Sequence, residues 1–120
     1  MKKKTVVLGA SENTERSSNM AVKKLVAHNH PVIAIGRKAA VIGNIPIVEE
    51  LLPHSDVDTI TLYLNAQNQK KYYDYIFSLK PKRIIFNPGA ENDELEQFAK
   101  EKMIETMEAC TLVLLSTNQY

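Results

Sequence analysis

The chain has little of what marks secreted, membrane-spanning or nucleic-acid-binding proteins. It contains one cysteine, Cys110, so an internal disulfide is excluded and a reducing compartment, by default the cytoplasm, is expected. Its 15 basic and 14 acidic residues give a net charge of +1, which excludes a global field that attracts nucleic acid or anionic lipid. Its apolar runs are too short to span a membrane. The 120 residues predict a single domain, 1–120, that buries a core without disulfides or a structural metal.

What the chain does contain is an alternation of short apolar runs and helix-period segments. Strands are predicted at residues 5–8, 32–35, 59–64, 82–86 and 103–107. Helices are predicted from residue 17 or 18 to about 29, and at residues 66–79, 92–99 and 109–115. Residues 39–47 are interpreted as a loop holding a short edge strand, and residues 48–52 as one helical turn before Pro53.

This alternation with short connections predicts an α/β fold. We expect a doubly wound, mainly parallel sheet of about five or six strands with helices on both faces. In such a sheet, ligands bind at the carboxyl ends of the strands, near the point where the strand order reverses. The candidate site is therefore built from the segments that leave the strand ends, residues 9–11, 36–38, 65–68 and 87–90.

The first of these segments joins a glycine to a helix entry. Residues 9–11, Gly-Ala-Ser, follow the first strand, and Ser17 or Ser18 is expected to cap the next helix. Small residues let the backbone approach a phosphate, and a helix N-terminus offers unpaired N–H groups and a partial positive charge. The pattern predicts a site for a nucleotide or another phosphorylated cofactor.

The same segment departs from the fingerprint of an NAD site. The G-x-G-x-x-G pattern demands glycine at positions 11 and 14, where this chain has Ser11 and Thr14. The acidic residue that holds the adenosine ribose after the second strand is replaced by Gly36-Arg37-Lys38. Two cations at that place favour an additional phosphate, as on NADP or on the 3′-phosphate of coenzyme A.

A set of motifs spread along the chain carries a family resemblance. They are residues 7–11, 28–35 and 56–58, the helix entry at Ser17 and Ser18, and the single residues Lys38, Pro46 and Cys110. Together they resemble the small stand-alone coenzyme A-binding domain proteins, which are similar to the coenzyme A-binding domain of the succinyl-CoA synthetase α subunit. The resemblance covers nearly the whole chain. It implies a Rossmann-like domain that binds coenzyme A or an acyl-CoA.

The resemblance and the strand-end positions assign ligand contacts to residues of four segments. They are Gly9, Ala10, Ser11, Asn13, Arg16 and Ser17 around the first loop, Gly36, Arg37 and Lys38 after the second strand, and Leu64, Asn65, Asn87 and Gly89 after the later strands. The first loop corresponds to the phosphate contacts of the family, and residues 64–65 to the contacts with adenine or pantetheine. Relatives often have Asn-Pro-Lys in place of residues 36–38 and Gln-x-Gly in place of residues 87–89.

Each of these residues also has a purely structural interpretation. Gly9 and Gly89 suit turns that need a positive φ angle. Arg37 and Lys38 suit a solvated corner, and the serines suit ordinary turns and helix caps. Their shared position at strand ends favours the ligand-binding interpretation.

Other chemistry-bearing residues are expected to be structural. The three histidines lack the spacing of metal ligands, so no metal site is expected. Cys110 is interpreted as a buried structural thiol rather than a nucleophile. Packing and surface positions are expected for Tyr63, Tyr72, Tyr73 and Tyr75.

Three functions follow from these features as alternatives. The first is a non-catalytic module that binds coenzyme A or acyl-CoA as a carrier, a sensor or a partner-dependent subunit, since 120 residues cannot hold a complete acyl-CoA ligase. The second is a small NADP-dependent reductase, and the third a regulatory or scaffold protein with a vestigial nucleotide site. A small-molecule nucleotide is the expected partner; a protein partner or a homo-oligomer stays open, and nucleic acid and membrane are not expected.

Overall fold

The computed structural model describes residues 2–120. Its strands are β1 (Thr5–Leu8), β2 (Val32–Ile35), β3 (Ala40–Ile42), β4 (Ile45–Val48), β5 (Thr59–Leu62), β6 (Arg83–Phe86) and β7 (Glu105–Glu108). Its helices are α1 (Ser17–Ala27), α2 (Ala66–Gln69), α3 (Tyr73–Ser78), α4 (Asp93–Glu101) and α5 (Thr111–Ser116), with a 3₁₀ turn at Lys70–Tyr72. No helix in this range is long and apolar enough to cross a bilayer.

The seven strands form one sheet in the order β3-β4-β2-β1-β5-β6-β7. All neighbouring strands are parallel except β3, which runs antiparallel to β4. From β1 the chain builds outward through β2 and β4, and then returns to place β5 on the other side of β1. The strand order therefore reverses at β1, which puts the expected ligand crevice at the carboxyl ends of β1, β2 and β5.

Strand β1 separates two hydrophobic cores. Val6 and Leu8 belong to the core under α3 and α4, whereas Val7 belongs to the core under α1 and α5, because successive strand residues face opposite sides. The helix residues that complete the cores are Ile76, Leu79, Leu95 and Ala99 on the first face and Val22, Leu25 and Leu115 on the second. The predicted α/β, Rossmann-like class with helices on both faces is confirmed.

The sheet has more strands than the five or six expected, because residues 40–48 form a hairpin. Val41 of β3 lies opposite Pro46 of β4, and Gly43 provides the turn with a φ angle of 59°. Gly43, Asn44 and Pro46 together predict a loop here, and Pro46 has no N–H to donate to a ladder. The parallel ladder to β2 uses only Ile47 and Val48, so the proline lies outside that ladder.

Two predictions for helices are wrong in detail. The helical turn expected at residues 48–52 does not form, because Val48 ends β4 and its carbonyl accepts a hydrogen bond from Gly36 N–H at 3.0 Å. The single helix expected at residues 66–79 is interrupted by the 3₁₀ turn, which divides it into α2 and α3. The last strand is displaced to Glu105–Glu108, since Met103 takes a φ angle of 62° in the turn after α4.

A histidine at the amino end of the sheet lies half-buried among basic groups. The Nδ1 atom of His30 accepts a hydrogen bond from the backbone N–H of Lys3 at 2.9 Å, and its ring lies 5.0 Å from the ring of Tyr120. Burial lowers the pKa of His30, and the positive charges of Lys2 and His28 lower it further. The folded state therefore favours the neutral ring more than the unfolded state does.

We expect the free energy of unfolding to decrease as the pH falls below about 6.5, the ordinary pKa of histidine, because the unfolded chain then binds the extra proton. Urea unfolding at pH 8 and pH 5 measures this difference. His30→Gln is expected to flatten the pH dependence, whereas His54→Gln, outside this cluster, leaves it in place. An equal pH dependence in both variants contradicts the assignment.

Candidate functional site

A cleft of about 700 Å³ opens at the carboxyl ends of the central strands. Its walls are formed by Gly9, Ala10, Ser11, Glu12, Glu15, Arg16, Ser17, Ser18, Arg37, Lys38, Ala40, Tyr63, Leu64, Asn65, Asn68, Lys71, Tyr72 and Pro88. They come from the segments that follow β1, β2, β5 and β6, as expected for a ligand site at a switch point of strand order.

Gly9 is required at the floor of the cleft for two reasons. Its φ angle is 98°, a region that side chains disfavour. A Cβ atom there would also lie 3.1 Å from the Leu64 side chain, because the ends of β1 and β5 approach closely. The N–H groups of Gly9 and Ala10 both donate to the Ile35 carbonyl at 2.9 Å, which fastens the loop to β2.

The loop between β1 and α1 is held by its own side chains. Ser11 Oγ accepts a hydrogen bond from Asn13 N–H at 3.1 Å, and Asn13 Oδ1 accepts one from Glu15 N–H at 2.9 Å. The buried Asn19 donates from Nδ2 to the Ser11 carbonyl at 3.0 Å. These local turns fix the backbone of the loop before α1 begins.

Helix α1 begins without a side-chain cap, so the predicted capping role of Ser17 or Ser18 is wrong. The N-cap residue is Arg16, and no side-chain hydrogen bond caps the helix. The loop turns reach Glu15 and shift the helix start, so both serines lie in the first helical turn. Within the described residues, no hydrogen bond uses the N–H groups of Ser17 and Ser18, and both residues line the cleft. Two N–H groups without a hydrogen-bond partner in that part of the chain and the positive end of an 11-residue helix thus lie beside this space.

Positive charge is concentrated in the walls beside this helix end. Arg37 and Lys38 follow β2, and Arg16 and Lys71 lie in the walls formed by the neighbouring segments. Lys38 Nζ lies 3.1 Å from Glu12 Oε1 in an exposed ion pair. The cleft therefore combines helix N–H donors with four cationic side chains, a donor set suited to phosphates.

Gly36 lets the segment that carries Arg37 and Lys38 approach the loop after β1. A Cβ atom on Gly36 would clash with the Ala10 carbonyl oxygen and would lie 2.9 Å from Ile47 Cγ2. Gly36 is thus necessary for the contact between the segment after β2 and the first loop. It supports the site without lining the cleft.

The opposite wall is held in place by a buried glutamine. The side chain of Gln69 is fully buried and donates to the carbonyls of Leu64 and Ala90, each at 2.7 Å. Its Oε1 accepts a hydrogen bond from Asn92 Nδ2 at 2.8 Å. Asn65 Oδ1 accepts one from Asn68 N–H at 2.9 Å and caps α2. These bonds join the segments after β5 and β6 into one wall.

Nine of the residues expected at the site line the cleft. They are Gly9, Ala10, Ser11, Arg16, Ser17, Arg37, Lys38, Leu64 and Asn65. Asn13 and Gly36 support the loops behind them, as described above. Asn87 and Gly89 lie outside the walls, and Pro88 between them faces the cleft instead.

Asn87 has a structural environment. It is 2% exposed and donates to Thr61 Oγ1 at 2.6 Å and to the Leu62 carbonyl at 2.9 Å. Its Oδ1 accepts a hydrogen bond from the N–H of Thr111, the first residue of α5. The side chain therefore joins β5, β6 and α5. Gly89 takes a φ angle of 92° in an open turn.

Two tyrosines that were expected to be packing or surface residues line the cleft. Tyr72 reaches it because the 3₁₀ turn redirects the chain after α2, and Tyr63 because it directly follows β5. Burial raises the pKa of Tyr63 to about 12, and the neighbouring hydroxyls of Thr111 and Thr61 oppose the shift without cancelling it. Tyr63 thus stays protonated at neutral pH and presents a neutral ring. The position of Tyr63 directly after β5, at the carboxyl end of a central strand, is the signal that could have marked it.

Cys110 is half-buried, immediately precedes α5 and does not line the cleft. Among residues 2–120, no group of three histidine, cysteine or acidic side chains is placed to hold a metal ion. In the cleft, phosphate-binding donors lie beside an apolar wall of Tyr63, Leu64 and Tyr72.

The fold and sequence match known proteins over nearly the whole chain. A structure described as that of an uncharacterized protein is 47% identical and has a TM-score of 0.97, with coverage of 100% of this chain and 99% of that chain. A protein from Thermus thermophilus, described as cell-free ID.343, is 18% identical with a TM-score of 0.83, covering 99% of this chain and 91% of that one. A hypothetical protein from Pyrococcus horikoshii OT3 is 20% identical with a TM-score of 0.80, covering 94% and 82%.

At these lower identities the similarity establishes the fold alone. No curated protein shows significant similarity to the chain. The family model described as CoA binding domain matches residues 3–116, which is nearly the full length. The chain therefore belongs to the CoA binding domain family.

Proposed function

We propose that the protein binds coenzyme A or an acyl-CoA in the cleft, as a non-catalytic carrier, sensor or partner-dependent module. The observation that carries the proposal is the uncapped N-terminus of α1, which faces a cleft that also holds Arg37 and Lys38. An anion that accepts from the N–H groups of Ser17 and Ser18 completes the helix end. Family membership supports coenzyme A as the source of that anion.

The proposed assignment uses three parts of the cleft. The N–H groups of Ser17 and Ser18, with Arg16, would receive the pyrophosphate. Arg37 and Lys38 would receive the 3′-phosphate of the ribose, because paired cations favour a dianion. The apolar wall of Tyr63, Leu64 and Tyr72 would receive uncharged parts of the ligand. A cleft of about 700 Å³ lies within the size range of small-molecule and cofactor sites.

The non-catalytic part of the proposal is supported by the state of the wall residues. Tyr63 keeps its proton at neutral pH, and the carboxylate of Glu12 is engaged by Lys38. The cationic side chains and the free N–H groups at the start of α1 donate hydrogen bonds, which suits binding and orientation of an anion. A carrier or sensor needs these properties, and the acyl group and any protein partner would determine which of the two roles applies.

Calorimetric titration with coenzyme A, acetyl-CoA and NADP tests this proposal. Arg37→Ala with Lys38→Ala is expected to weaken coenzyme A binding roughly 10- to 100-fold, since two charge-assisted contacts are lost. Lys23→Ala with Lys82→Ala removes the same charge from exposed positions outside the cleft and is expected to bind normally.

Three results would redirect the assignment. Tighter binding of NADP than of coenzyme A would favour the reductase alternative, because the same cations suit the 2′-phosphate of NADP. The absence of any nucleotide binding would favour the alternative of a regulatory protein with a vestigial site. Equal affinities in the two double variants would contradict the role given to Arg37 and Lys38. Native mass spectrometry of protein purified from cells would identify a bound acyl-CoA and the oligomeric state.

A further inference from the structure

An ion pair joins two loops across the mouth of the cleft. Lys38 Nζ lies 3.1 Å from Glu12 Oε1; Glu12 belongs to the loop after β1, and Lys38 to the segment after β2. Both side chains line the cleft and remain accessible, with exposed fractions of 53% for Glu12 and 81% for Lys38. Exposed pairs of this kind are weak, so a better partner can replace either member at little cost.

The pairing is selective among the charges of the cleft. Of the four cations in the walls, Lys38 has a carboxylate within 4.0 Å, while Arg16, Arg37 and Lys71 form no ion pair with any described residue. Glu15, the second acid of the walls, is likewise in no ion pair within that range. The carboxylate of Glu12 thus pairs with Lys38, one of the two cations that follow β2.

The backbone around Glu12 keeps its side chain within reach of Lys38. Ser11, the preceding residue, is held through its carbonyl by Asn19 and through its Oγ by Asn13. Gly36 lets the segment after β2 approach the Ala10 carbonyl, which sets the spacing of the two loops. Only rotation of two long side chains is needed to open or to restore the pair.

We propose that Glu12 is an internal competitor for the ligand's ribose phosphate at Lys38, an inference that rests on the proposed function. A phosphate dianion has twice the charge of the carboxylate and more acceptor oxygens, so it displaces Glu12 from Lys38. Binding of the phosphate form therefore has to break the ion pair between Glu12 and Lys38, and that cost weakens it. A ligand with a hydroxyl at that position leaves the ion pair intact. Glu12 therefore reduces the affinity gained from the ribose phosphate and keeps binding readily reversible.

The test compares coenzyme A with dephospho-coenzyme A, which lacks that phosphate. Calorimetric titration of Glu12→Gln is expected to show coenzyme A binding tighter than in the unmodified protein by roughly two- to fivefold. Binding of dephospho-coenzyme A is expected to change by less than about twofold, since no phosphate meets the lysine. Glu15→Gln removes the same charge from the same cleft and is expected to affect both ligands weakly and equally.

A second variant separates ion-pair exchange from a general change of charge. In a Lys38→Ala background, Glu12→Gln is expected to have no more effect on coenzyme A binding than Glu15→Gln has. An effect that persists without Lys38 overturns the inference. The rate at which coenzyme A dissociates from Glu12→Gln, measured by stopped-flow displacement, is expected to be lower by a similar factor.

The outcomes distinguish this inference from the proposed function. If the unmodified protein binds coenzyme A and Glu12→Gln binds it equally well, the competitor role is wrong and the proposed function stands. If neither protein binds coenzyme A, both are wrong. Binding by Glu12→Gln alone supports the inference in its strongest form, because Glu12 then blocks the site.

Discussion

Alanine at position 36 is expected to lower the free energy of unfolding by about 3 kcal/mol, the cost of overpacking at a site that cannot relax. The Cβ atom would meet the Ala10 carbonyl and Ile47, and the carbonyl belongs to a loop already fastened to β2. To relieve the clash, the segment carrying Arg37 and Lys38 must move away from the first loop. We therefore expect coenzyme A affinity to fall as well, roughly tenfold or more, since displacements near 1 Å are costly at preorganised sites.

Urea unfolding and calorimetric titration of Gly36→Ala measure these two effects. Gly43→Ala is the matched control, because a Cβ atom there meets nothing within 4 Å and only the φ angle of 59° is unfavourable. It is expected to cost about 1 kcal/mol, the strain of a left-handed residue, and to leave ligand affinity unchanged. If the two variants lose the same stability, the close approach of the two loops at Gly36 is not the reason why a side chain is unfavourable there.

Gln69→Leu is expected to lower the free energy of unfolding by about 3 kcal/mol, because one buried and one partly buried carbonyl lose the side-chain donor that they share. Those carbonyls belong to Leu64 and Ala90, and Asn92 loses one of its acceptors in the same change. Leucine fills a similar volume, so the loss reflects hydrogen bonding rather than a cavity. The wall at Leu64 is expected to shift, which weakens coenzyme A binding in the protein that remains folded.

Gln67→Leu is the control for this substitution. Gln67 is exposed and lies on the same short helix, so its replacement is expected to change stability by less than about 0.5 kcal/mol. Thermal and urea unfolding of the two variants give the comparison. A loss of stability at Gln67 equal to that at Gln69 would mean that leucine disfavours α2 itself and that the hydrogen bonds contribute little.

The sequence predicts the centre of the fold well because the central strands are short segments rich in apolar and β-branched residues. Strands β1, β5 and β6 are buried at every residue, and Val, Ile, Leu, Phe and Thr make up all of their positions except Arg83. The hairpin of β3 and β4 was only half-predicted, since Pro46 is compatible with a strand only where the ladder to β2 has ended. Long-range pairing decides that question, and it leaves no local signal.

The candidate site shows the same division between local and long-range information. Glycines and cations at strand ends are visible in the sequence, and Gly9, Arg37 and Lys38 lie where parallel strands are expected to bring them. Tyr72 and Lys71 reach the cleft through the 3₁₀ turn, which a helical pattern does not reveal. The hydrogen bonds of Asn87 to Thr61, Leu62 and Thr111 likewise depend on how α5 packs against the sheet, which no local pattern reveals.

The open end of α1 has a consequence for how much protein is present in a cell. A ligand that completes the first turn of a helix binds the folded chain and not the unfolded one, so occupancy and folding are thermodynamically coupled. At a ligand concentration one hundred times its dissociation constant, this coupling adds about 2.7 kcal/mol to the folded state. Because unfolded chains are removed by proteases, the abundance of the protein would then rise and fall with the supply of its ligand.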